Sequence, residues 1–116
     1  MFSIVKEGRR RRYIGFEINS YANHFQIKKD EVIHEIRRKC KQLFNKDCKE
    51  LGIFLVRFEK DIGIIRCNHI EKNNTIKLLI SIDNISSYKV NIETLGTSGT
   101  IKSLIRKHMD TFSVKL

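Results

Sequence analysis

Apolar positions along this chain follow two rhythms, one of period two and one near 3.6, and their succession predicts the elements. From Arg12 to Asn19, Ile14, Phe16 and Ile18 alternate with Tyr13, Gly15, Glu17 and Asn19, the pattern of a half-buried strand. After a polar-aromatic loop from Tyr21 to Ile27, the segment Asp30 to Phe44 carries Val32, Ile33, Ile36, Cys40, Leu43 and Phe44 at helical spacing with basic residues between them. Ile53 to Phe58 and Gly63 to Cys67 are strand-like. The connection Glu59-Lys60-Asp61-Ile62 is short enough for a hairpin, which makes them antiparallel neighbours. In the first of the pair, Ile53 and Leu55 are opposite in phase to Phe54, Val56 and Phe58, so this strand is apolar on both faces. Something should cover the second face: the last helix, a self-association contact or a protein partner.

Asn68 followed by Glu71 reads as a helix start, with Ile76, Leu79 and Ile80 giving part of an apolar face. The run Ile76 to Ile82 also alternates, so local pattern leaves helix and strand both open there, and topology selects the helix. Tyr88 to Leu95 reads as a strand with Val90 and Ile92 inward. A last helix follows, in which Ile101, Leu104, Ile105 and Met109 share one face while Lys102, Arg106 and Lys107 project from the other. The order β-α-β-β-α-β plus a helix is the split βαβ plan. The expected class is α+β: a two-layer α-β sandwich, ferredoxin-like or RRM-like, with an additional C-terminal helix. Residues 1–11 form a basic N-terminal arm and residues 12–116 one domain.

Charge narrows the partners. Lys and Arg number 23 against 13 Asp and Glu, a formal net charge of +10 on 116 residues, and such a surface seeks polyanions. No apolar run resembles a signal peptide or is long enough to span a bilayer, so a soluble, cytoplasmic chain with no membrane partner is expected. Cys40, Cys48 and Cys67 contain no C-x-x-C pair and read as reduced structural thiols. The histidines at 24, 34, 69 and 108 have no spacing that gathers metal ligands, and the protein itself is expected to bind no cofactor.

Candidate chemistry concentrates at Thr94-Leu95-Gly96-Thr97-Ser98-Gly99-Thr100-Ile101-Lys102, where a strand end runs through two glycines into the basic helix. The first N–H groups of a helix lack partners inside it and attract phosphate, and glycines let the phosphate come close. Thr97, Ser98 and Thr100 add hydroxyl donors; Lys102, Arg106 and Lys107 add charge. The plainer alternative is an ordinary cap in which Ser98 or Thr97 satisfies the first turn. Arg9, Arg10, Arg11 and Arg12 present guanidinium groups that grip phosphates and stack on bases. Tyr13 is suited to stacking on an unpaired base, or to packing. Arg37, Arg38, Lys39 and Lys41 point in different directions around one helix and read as a solvated surface. The RNP signatures of sequence-reading modules are absent, which favours recognition of backbone and shape.

Four places together resemble one family: Arg12-Tyr13-Ile14-Gly15-Phe16-Glu17, Lys29-Asp30-Glu31-Val32, Gly63-Ile64-Ile65-Arg66-Cys67, and Leu95-Gly96-Thr97-Ser98-Gly99-Thr100-Ile101-Lys102. Their order and spacing across residues 12 to 109 are similar to the archaeal ribonuclease P protein component 2 family, related to a eukaryotic ribonuclease P and MRP subunit. The resemblance implies an accessory subunit of an endoribonuclease whose chemistry belongs to its RNA, removing the 5′ leader of precursor tRNA. It implies as partners the catalytic domain of the ribonuclease P RNA, protein component 3 and other ribonuclease P proteins, with precursor tRNA contacted indirectly and a dimer or heterotetramer among the assemblies. Mg2+ is then expected to serve the RNA enzyme. The chain departs from the family at its ends and in the first loop. Rival readings are a generic RNA-binding or interaction module, and a small acylphosphatase-like enzyme. The enzyme needs a glycine-rich loop after the first strand, where this chain has Ser20-Tyr21-Ala22-Asn23-His24-Phe25.

Overall fold

The computed structural model describes residues 10–20 and 27–109. Arg9 and the rest of the arm before it, loop residues 21–26 and residues 110–116 lie outside the described residues. The elements are β1 (Arg11–Ser20), α1 (Lys29–Phe44), α2 (Cys48–Leu51), β2 (Phe54–Glu59), β3 (Ile62–Asn68), α3 (Lys72–Ser81), β4 (Asn84–Ile85), β5 (Tyr88–Ser98) and α4 (Ile101–His108), with a 3-10 turn at His69–Glu71 leading into α3. The strands form one antiparallel sheet in the order β2-β3-β1-β5-β4. Its central strand is therefore the first in sequence, flanked by the third and last long strands, as the split βαβ plan requires.

Three differences from the pattern-based expectation have physical causes. The sheet has five strands rather than four, because Ser86 and Ser87 adopt positive φ (51° and 73°) and fold the two-residue β4 back onto the start of β5. β5 continues to Ser98 rather than ending near Leu95, since Gly96, Thr97 and Ser98 pair with Gly15, Ile14 and Tyr13. The apolar face of α3 is Thr75, Leu78 and Leu79, while Ile80, expected inward, is 59% exposed. The short helix α2 and the strand β4 have too few residues for either periodicity to register.

The hairpin closes through Lys60 and Asp61, both at positive φ (50° and 69°), the conformation of a type I′ turn whose twist matches that of the flanking strands. Counting back from it, Glu59 pairs Ile62, Phe58 pairs Gly63 and Arg57 pairs Ile64. Leu55 then pairs Ile65, so Val56 is an extra residue at a bulge. The bulge reverses the phase: Phe58 turns to the same face as Leu55, where its ring stacks on Phe16 at 6.4 Å between centroids, and Val56 remains on the other. Simple alternation had placed Phe58 with Val56.

The sheet therefore separates two cores. On one face α1 and α3 cover Ile14, Phe16, Ile18, Leu55, Ile65, Val90 and Ile92. Each fully buried side chain of this size contributes about 1.5–3 kcal/mol. On the opposite face a smaller core unites Ile64 with Leu104, Ile105 and Met109, bordered by Tyr13, Val56, Ile62, Leu95 and Ile101. The last helix thus supplies cover for the second face of the sheet. Its close approach depends on two glycines. A Cβ on Gly15 would lie 2.6 Å from the Met109 sulfur, and one on Gly96 would overlap the His108 ring.

Candidate nucleic-acid interface

Of the residues singled out near the two ends of the chain, Arg12 and Tyr13 meet the Ser98-Gly99-Thr100 segment at the start of α4. Register sets Tyr13 of β1 beside Ser98 of β5, and the Arg12 Nη1 atom stands 3.4 Å from where a Gly99 Cβ would be. Thr100 follows as the N-cap of α4, its Oγ1 accepting from the Ser103 N–H at 3.1 Å. The capping hydroxyl is therefore Thr100, not Ser98 or Thr97, because those two belong to β5. Thr97 pairs with Ile14 and shares the α1/α3 face, on the far side of the sheet from α4.

The two glycines differ in what approaches them. Neither Gly96 nor Gly99 has positive φ; among the described glycines only Gly52 does, at 69°. Gly96 is a strand residue that makes room for His108, and Gly99 is exposed between strand and helix. The bare backbone at Gly96 is occupied by protein.

Lys102, Arg106 and Lys107 are all exposed, and none of their side chains has a hydrogen-bond or ion-pair partner among the described residues. No carboxylate occupies the first turn of α4, so the positive end of its dipole and Lys102 repel each other without compensation. An anion arriving there would relieve both. Of the N-terminal arginines, Arg10 is exposed and its carbonyl accepts from the His69 N–H at 2.9 Å. Arg11 and Arg12 are β1 residues: the Arg11 guanidinium reaches Asn68 Oδ1 at 3.5 Å and Arg12 donates to the Arg11 carbonyl at 3.3 Å. Tyr13 is half-buried at the border of the second core.

The basic run on α1 is different. Arg38 makes a two-pronged contact with the buried Glu35 (Nη2 to Oε2 2.6 Å, Nε to Oε1 3.2 Å), and Lys41 lies 3.6 Å from Asp47. Glu35 holds the Arg38 guanidinium even more firmly protonated than usual. Two of the four cations in that run, Arg38 and Lys41, are thus answered within the fold, whereas no carboxylate among the described residues stands within ion-pair distance of Arg37 or Lys39.

Other chemistry finds little footing. Cys40, Cys48 and Cys67 are free thiols; burial raises all three, Cys40 to about 12, so they stay protonated and poorly nucleophilic. Among the described residues no three His, Cys, Asp or Glu side chains group to hold a metal ion, and no helix is long and apolar enough to cross a membrane.

One feature escaped pattern reading. Phe54 on β2 pairs with Arg66 on β3, whose guanidinium lies over the Phe54 ring at 5.0 Å from its centroid, and Arg66 pairs in turn with Tyr13 on β1. Without the bulge at Val56, counting from the hairpin turn would align Phe54 with Cys67 instead, so alternation alone hides this row.

A fold of this order, with an unneutralised cationic helix laid across one sheet face, defines an α-β sandwich suited to a polyanion. The model of the Rpp14/Pop5 family matches residues 12–109, and the chain belongs to that family. It is 34% identical to a Pyrococcus furiosus protein called ribonuclease P protein component 2, over 89% of this chain and 86% of that one. Proteins of the same name from Methanosarcina barkeri and Archaeoglobus fulgidus are 27% and 29% identical, covering 86% and 87% of this chain and 73% and 90% of theirs. A chain in the cryo-EM structure of yeast ribonuclease MRP shares the fold, with a TM-score of 0.66 at 15% identity over 92% of this chain and 87% of that one.

Proposed function

We propose that this chain is a protein subunit of ribonuclease P, supporting the RNA that removes the 5′ leader of precursor tRNA. The observation that carries the reading is the family match over residues 12–109, which takes in the whole sandwich together with α4 and its unpaired cations. Catalysis belongs to the RNA, and magnesium serves that RNA. The protein's part is electrostatic and positional. Lys102, Arg106, Lys107 and Arg10 engage phosphates, with Arg12 and the Ser98-Gly99-Thr100 segment beside them at the start of α4. Such contacts read backbone and shape, release counterions and carry little sequence preference. Component 3 and other ribonuclease P proteins are its protein partners, a dimer or heterotetramer its assembly, and the cytoplasm its compartment.

Reconstitution tests this directly. Cognate ribonuclease P RNA and its partner proteins are assembled with and without the chain, and precursor-tRNA cleavage is followed at moderate magnesium. Cleavage that falls when the chain is omitted is the expected result; cleavage at an unchanged rate refutes the subunit role.

A further inference from the structure

Beyond the phosphate-binding helix, the geometry points to a second RNA site on the same sheet face: a stacking platform for one unpaired nucleotide, formed by Phe54 with Arg66. It deepens the RNA-binding part of the reading above and rests on it. Phe54 is 55% exposed, on the outermost strand of the sheet beyond the small core under α4. Exposure alone would say little, since single surface hydrophobes are common; what sets Phe54 apart is the cation held against its ring. Arg66 covers one side of the ring and holds it in place, a cation–π contact.

Arg66 is itself incompletely used. Its Nε is buried without a hydrogen-bond acceptor, and no carboxylate among the described residues neutralises the guanidinium. The Nε is closed off, but the half-buried guanidinium carries a charge that the fold leaves unanswered, and a partner that brings an acceptor to it supplies the missing counter-charge. A nucleotide offers both things this pair lacks: a flat π-face for the open side of Phe54, and phosphate or base oxygens for the guanidinium. An apolar protein surface laid on Phe54 would instead bury the Arg66 charge with nothing to answer it. Tyr13 stands next in the row, so the platform leads across β3 and β1 toward Ser98 and the start of α4, where the phosphate contacts lie. Every base has a π-face, so the platform selects unpaired over paired RNA rather than one sequence over another.

The chain contains no tryptophan, so Phe54→Trp introduces a single emitter at the platform. Short single-stranded RNA is titrated into this variant, and binding is followed in parallel by the anisotropy of labelled RNA. Saturable quenching by the single strand, and none by duplex RNA of equal length, is expected. Phe54→Ala should weaken single-strand binding about 5- to 150-fold and leave duplex binding unchanged; its circular dichroism should match wild type, since the side chain is exposed. Phe54→Tyr should restore the affinity. Emission that stays constant while anisotropy reports saturation overturns the proposal, as does equal single-strand affinity in Phe54→Ala. Emission that responds to protein component 3 and not to RNA also overturns it, assigning the platform to protein docking. These readouts use the isolated protein, so a silent tryptophan alongside chain-dependent cleavage sinks the platform alone. A quenched tryptophan alongside chain-independent cleavage sinks only the subunit role.

Discussion

The two basic helices, α1 and α4, carry similar runs of Lys and Arg, and the fold answers half of one run and none of the other. On α1 it provides counter-charge for two of the four cations: Glu35 grips Arg38 and Asp47 stands near Lys41. Asp30 and Glu31 sit in its first turn, and Glu31 accepts from the Lys28 N–H at 2.8 Å. On α4 there is no acidic residue in the first turn and no carboxylate against Lys102, Arg106 or Lys107 among the described residues. Positive charge in sequence therefore says little about where a polyanion binds. What distinguishes the two surfaces is how far the protein has already neutralised its own cations.

The largest expected effect tests whether α4 is an integral layer. Leu104 of α4 is fully buried in the second core with Ile64. Leu104→Ala should cost about 2–5 kcal/mol, read as a lowered midpoint in chemical denaturation with the slope retained. A midpoint within error of wild type would mean that α4 is an appendage and that the second core adds little.

Next comes the charge contrast itself. Reversing Lys102, Arg106 and Lys107 to Glu should remove three phosphate contacts and flatten the dependence of log affinity on log salt by about 2 to 3. Reversing Arg38 and Lys41, the two α1 cations with carboxylate partners, should leave that slope nearly unchanged. Filter binding of the catalytic RNA over a salt series measures both, and equal losses in the two variants would erase the distinction between the helices.

The smallest effect lies at the α1 start. The Glu31 carboxyl is held below its usual range, chiefly by the Lys28 N–H and then by the Ser86 hydroxyl. A folded-state pKa below the unfolded one stabilises the fold above the unfolded value of 4.5, and that contribution is lost as pH falls through the folded pKa. Glu31→Gln should thus lower the melting temperature slightly at pH 7, and the gap from wild type should shrink as the solution is acidified through the carboxylate range. A gap that persists in acid would assign the effect to packing instead.

The fold was legible from the sequence wherever one periodicity ran long enough to dominate. β1, α1 and the hairpin declare themselves through Ile14/Phe16/Ile18, through Val32/Ile36/Cys40 and through the short Lys60-Asp61 connection. The α-β order and the basic last helix follow from these and from family resemblance. What stayed hidden was set by tertiary pairing. Bulges near Leu95 and Val56 change which residues share a face, and only strand register reveals them. Gly96 invites a reading as a ligand cradle because glycine permits close approach, but sequence does not say what approaches; here it is His108. The partial neutralisation of α1 likewise depends on Glu35 and Asp47 reaching their partners, a matter of rotamers rather than spacing.

The central claim is that the exposed cations of α4 are the protein's grip on ribonuclease P RNA. Its most direct test is precursor-tRNA cleavage by the reconstituted particle carrying the α4 triple reversal, beside particles carrying the Arg38 and Lys41 reversals. Cleavage impaired by the first and preserved by the second is the predicted result. A particle with α4 reversed that cleaves as well as wild type would contradict it.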